Sequence, residues 1–82
     1  MTVDVLFFAR IREQLGRSAW QVMADGQTIA ALVDGWVAEH GDAWAVLQQA
    51  DVRCALNQVI VSRDCIVHDG DELAFFPPVT GG

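Results

Sequence analysis

Residues 28–41 read TIAALVDGWVAEHG, and the spacing of their apolar members decides what the rest of the chain must do. Ile29, Leu32, Val33, Trp36 and Val37 fall at i, i+3, i+4, i+7 and i+8, the pattern of a helix that turns one face to a core. Thr28 offers a side-chain oxygen at the N-cap position, and Gly41 stops the helix. Gly35 inside the segment costs about 1 kcal/mol relative to alanine. Burial of the stripe offsets that several times over, at roughly 1.5 to 3 kcal/mol per large apolar side chain.

On both sides of this helix the pattern becomes strand-like. TVDVLFFA (2–9) is rich in β-branched and aromatic residues and predicts a first strand, ARIREQLG (9–16) a short helix closed by Gly16, and SAWQVMA (18–24) a second strand. Asp25-Gly26 is a turn pair ahead of Thr28. After Gly41, Asp42 is placed to cap a short helix over AWAVLQQA, and RCALNQVIVS predicts two short strands meeting near Asn57-Gln58. HDGDELAFFPP predicts a turn at Asp69-Gly70 and a last strand ended by Pro77 and Pro78, neither of which can donate a ladder hydrogen bond. Five strands and one dominant amphipathic helix make an α+β fold, a sheet wrapped around that helix.

One helix covers one face of a sheet, so the other face should be polar. The strands contradict that. If Val5, Phe7, Val59, Val61, Leu73 and Phe75 point to the helix, then Phe8, Ile60 and Phe76, from three different strands, point away from it. Large apolar side chains gathered on an uncovered face mark a partner's footprint.

Composition narrows the function further. The 82 residues form one domain, 52% hydrophobic and 20% charged, which suits a packed interior. Eleven acids against five arginines, with no lysine, give a net charge of −6. A chain so acidic is poorly suited to hold nucleic acid or a phosphate-bearing substrate by itself, and its charge would help steer in a basic partner. The longest apolar stretch is far short of a membrane span, and the N-terminus lacks the basic start of a secretory signal, so a cytoplasmic location is expected. Cys54 and Cys65 have no ligand spacing for a metal and suggest buried thiols in strands.

The chain ends FFPPVTGG. Beyond Phe76, six residues (77–82) can extend about 20 Å at roughly 3.3 to 3.6 Å per residue, so the chain divides into a folded domain, 1–76, and a flexible tail. Pro77 and Pro78 stiffen the start of the tail, whereas Gly81 and Gly82 have no Cβ, can pass a narrow channel, and leave the terminal carbonyl open to attack. A carboxylate is inert to nucleophiles until activated, for instance as an acyl-adenylate made from ATP. No P-loop, no G-x-G-x-x-G after a strand and no catalytic constellation is present, so activation falls to another protein.

The endings DGDELAFFPPVTGG (69–82) and VLFFARIRE (5–13), with the central LNQ (56–58), resemble the MoaD family of molybdopterin synthase small subunits. These are ubiquitin-like β-grasp sulfur carriers; residues 17–53 match by pattern only. The resemblance implies a mixed five-stranded sheet around one main helix, with Gly81 and Gly82 as the reactive tail. Gly82 would be adenylated by a MoeB-like activating enzyme using ATP, then converted to a thiocarboxylate. The tail, Pro77, Pro78, Val79 and Thr80 included, would enter a MoaE-like large subunit and donate sulfur to a cyclic pyranopterin monophosphate precursor, building the molybdopterin dithiolene. Phe8, Ile60 and Phe76 match the family's docking face. No metal or cofactor is expected on this chain, and two small with two large subunits is the implied assembly. A thiamine-type sulfur carrier and a ubiquitin-like protein modifier are the alternatives; FFPP speaks against the first.

Overall fold

The computed structural model describes residues 2–78, which run β1 (Thr2–Phe7), α1 (Ala9–Leu15), β2 (Ala19–Met23), α2 (Ile29–His40), a 3₁₀ helix (Asp42–Gln48), β3 (Arg53–Leu56), β4 (Val59–Val61) and β5 (Glu72–Phe76). Helix α2 is built as its stripe requires. The Thr28 hydroxyl accepts a hydrogen bond from the Ala31 N–H at 3.1 Å. At the other end Gly41, at φ 98, donates its N–H to the Val37 carbonyl at 2.9 Å. Ile29, Leu32, Val33 and Trp36 are buried, and Val37 lies half-buried at the margin of the stripe.

The sheet has the order β2-β1-β5-β3-β4. β1 and β5 pair in parallel at its centre, with Phe7 beside Phe75, while the other three pairings are antiparallel. This mixed sheet with α2 on one face is the β-grasp arrangement that the sequence led us to expect. Cross-strand partners share a face, so the register defines the core side as Val5, Leu73 and Leu56 in one row and Phe7, Phe75, Cys54 and Val61 in the next. Phe7 and Phe75 stack at 6.1 Å, and Trp36 of α2 meets Phe75 edge-on at 6.2 Å.

Three expectations are corrected. Val59 shares the core face, opposite Leu56, but is 62% exposed: on a three-residue edge strand its side chain is left in solvent. Asp42 does not cap the second helix; the helix is 3₁₀, begins at Asp42 itself and has Gly41 at its cap with no side-chain bond. Cys54 is a buried strand thiol, but Cys65 is half-buried in the loop after β4.

The DGD segment ahead of β5 is structural. Asp69 Oδ1 accepts from the Thr2 N–H at 2.7 Å, and Gly70, at φ 87, donates to the Thr2 carbonyl at 2.8 Å. Asp71 accepts from the Asn57 amide at 2.9 Å and from the His68 N–H at 2.8 Å. These donors, Asn57 foremost, hold the Asp71 carboxyl below the usual carboxylate range; the Thr2 N–H does the same for Asp69. The stabilisation they supply is fully present above the unfolded carboxylate value of about 3.9 and disappears as pH falls through the lowered folded values. Urea midpoints are therefore expected to decline on acidification below about pH 4. Asp71→Asn should flatten that decline; an unchanged pH slope would remove Asp71 from this account.

Candidate functional site

The uncovered face of the sheet is apolar where β1 and β5 end and acidic where they begin. Its rows follow from the register: Asp4 with Glu72 and Gln21, then Leu6 with Ala74, Ala55 and Ile60, then Phe76 with Arg53. Asp4 accepts from the Gln21 side chain at 3.1 Å. In the middle row the two alanines make a low strip between Leu6 and Ile60.

Each large apolar residue on this face is held by its backbone. The parallel pairing of β1 with β5 places their C-terminal ends side by side, so Phe8 neighbours Phe76. Phe8 donates its N–H to the Phe75 carbonyl at 3.2 Å and accepts from the Ile11 and Arg12 N–H groups at 3.2 and 3.4 Å. The next residue, Ala9, has φ 54, a left-handed conformation that costs a non-glycine residue roughly 1 to 2 kcal/mol. That sharp change of direction lets α1 start at once and leaves Phe8 45% exposed.

Ile60 is 66% exposed at the centre of β4, opposite Ala55. Its hairpin turns through Asn57 and Gln58 at φ 52 and 71, the paired positive values of a two-residue turn that follows strand twist. Asn57 ties the turn to β5: its N–H donates to the Glu72 carbonyl at 2.8 Å and its Oδ1 accepts from the Glu72 N–H at 3.0 Å. The LNQ signature thus has a geometric reason, since asparagine tolerates the left-handed region and carries the polar atoms that complete the bridge.

Of the residues singled out from sequence, Phe8 and Ile60 are exposed and Phe76 half-buried on this one face. Pro77 and Pro78, also half-buried, carry the chain off the end of the central strand. Val79, Thr80, Gly81 and Gly82 lie outside the described residues.

Arg63, which sequence reading passed over, supports the site from below. It donates to the Leu47 and Val52 carbonyls and sits 5.8 Å from the Phe75 ring, tying the 3₁₀ helix to the hairpin and to β5. Nothing in its local sequence signals that role. Burial raises the Cys54 thiol pKa, and its sulfur donates to the Val61 carbonyl at 3.4 Å, so it is not presented as a nucleophile. Among the described residues no group of three or more His, Cys, Asp or Glu is arranged to hold a metal ion, and no helix is long and apolar enough to cross a membrane.

Comparison with known proteins places these features in a family context. The ThiS family matches residues 5–82. The molybdopterin synthase sulfur carrier subunit of Escherichia coli K12 is 48% identical over 81 residues, covering 98% of this chain and 99% of that protein. Among solved structures, the putative molybdopterin converting factor subunit 1 of Pyrococcus furiosus superposes with a TM-score of 0.76 at 28% identity, over 96% of this chain and 99% of that one. The complex of subunits 1 and 2 of molybdopterin-converting factor from Helicobacter pylori contains a chain of the same fold, with a TM-score of 0.68 at 24% identity and full coverage of both chains.

The division between faces predicts opposite responses to truncation. Ile60→Ser should change unfolding free energy by no more than about 0.5 kcal/mol, whereas Phe75→Ala, emptying a core position, should cost roughly 3 to 5 kcal/mol. Chemical denaturation measures both, and a large loss at Ile60 would mean that its side chain faces the core.

Proposed function

The chain belongs to the ThiS family, and from that premise we propose that it is the sulfur-carrying small subunit of a molybdopterin synthase. The observation that carries this reading is the 48% identity, spanning nearly the full length of both proteins, to a molybdopterin synthase sulfur carrier subunit. The chemistry assigned to the tail is the one that the resemblance of its ending to the sulfur carriers implies, and its unhindered glycines suit it. An activating enzyme converts the Gly82 carboxylate to an acyl-adenylate, releasing pyrophosphate from ATP; a sulfur nucleophile then displaces AMP and leaves a thiocarboxylate.

The large subunit receives the tail, supplies the cationic groups for the precursor's phosphate, and lets the thiocarboxylate sulfur attack the pyranopterin. Hydrolysis of the resulting acyl intermediate returns the carboxylate for reuse. An amide would be far harder to reverse. This chain contributes to the enzyme as a carrier: Gly82 holds the reacting atoms, Gly81 keeps the approach unhindered, residues 77–80 reach inward, and Phe8, Ile60 and Phe76 set the depth of insertion. The reaction is placed in the cytoplasm, in an assembly of two small and two large subunits.

Intact mass after incubation with the activating enzyme, ATP and a sulfur source should rise by the difference between sulfur and oxygen. A variant with one residue added after Gly82 should show no such gain and no sulfur transfer, with an unchanged circular dichroism spectrum. Full transfer by the extended variant would sink the terminal-carboxylate chemistry. Sulfur loading without conversion of the pyranopterin by the large subunit would assign the carrier to another pathway.

A further inference from the structure

The negative charge of this molecule is unevenly spread. A cleft of about 340 Å³ opens between the C-terminal end of the 3₁₀ helix and the β3–β4 hairpin, lined by Gln48, Gln49, Arg53, Ile60, Ser62 and Arg63 together with small and apolar neighbours. Two of the five arginines line it, and none of the eleven acids does. The Arg63 guanidinium is engaged by two neutral carbonyls, which leave its charge uncancelled. Arg53 is exposed on the uncovered face, across the ladder from Phe76, and makes no ion pair or side-chain hydrogen bond among the described residues.

Arg53 and Ile60 belong both to the cleft and to the apolar face, so a protein that covers Phe8, Ile60 and Phe76 also covers the mouth of the cleft. Desolvating an unpaired guanidinium there is costly unless the incoming surface brings an anion. A carboxylate suits best, because the fork of donors on Arg53 can bind both of its oxygens. The geometry points to this cleft as the seat of an aspartate or glutamate side chain from the large subunit, paired with Arg53 and backed by the Arg63 charge. This inference rests on the proposed function, adding to it a polar anchor that fixes the rotation of the docked subunit about the tail.

Calorimetric titration of the full chain with the large subunit from the same organism tests it. Arg53→Glu should weaken binding by about tenfold or more, and Arg53→Ala by less, with a shallower salt dependence than the wild type. Both variants should melt like the wild type. Converting the responsible large-subunit acid to arginine should restore binding to Arg53→Glu. Wild-type binding matched within about twofold by Arg53→Glu would overturn the inference while leaving the functional reading intact, provided Phe76→Asp still weakens the complex. A loss confined to the activating enzyme would overturn it equally. Absence of any wild-type binding to the large subunit would instead overturn the functional reading on which it stands.

Discussion

The parallel pairing of β1 with β5 is the constraint on which the rest of the molecule depends. Two strands distant in sequence can lie parallel only if the chain between them crosses over, and here nearly everything else, α2 included, belongs to that crossover. The same pairing brings Phe7 and Phe75 together under α2. It also sets Phe8 beside Phe76, so the exposed apolar surface and the exit of the tail share one end of the sheet. Were β5 at an edge, Pro77 and Pro78 would leave from the side of the sheet, away from Phe8 and from the face proposed for docking.

Within the ending DGDELAFFPPVTGG, scaffold and function are divided along the chain. Asp69, Gly70 and Asp71 hold the start of β1 and the β3–β4 turn in place through short local bonds. Leu73 and Phe75 fill the core, while Phe76, one residue further, belongs to the opposite face. The prolines then end the ladder. Acid groups that look chemically suggestive in the sequence thus serve the fold, and the proposed chemistry is left to the residues that follow.

Much of this was legible because short-range rules and burial agree. The stripe of α2, its Thr28 cap and the Gly16 and Gly41 stops were readable from spacing, and strand alternation correctly sent Phe7 and Phe75 inward and Phe8 and Ile60 outward. Alternation failed at Val59 because parity assigns a side chain to a face but does not say how far the cover over that face extends. The charged cleft was out of reach for a related reason: Arg53 and Arg63 acquire a common environment only when β4 folds back on β3. The four tail residues beyond Pro78 carry the functional argument through composition and relatedness, not through geometry.

The tryptophans also gain a place. Trp20, Trp36 and Trp44 lie within 4.9 to 6.3 Å of one another, with His40 stacked on Trp44 and Arg17 over both Trp20 and Trp44. All three indoles are on the helix-covered side, opposite the face assigned to docking. Indole absorption and emission in this protein therefore originate on the side packed under the helix, an optical record of whether that packing is intact, with no indole on the face where partners would come and go.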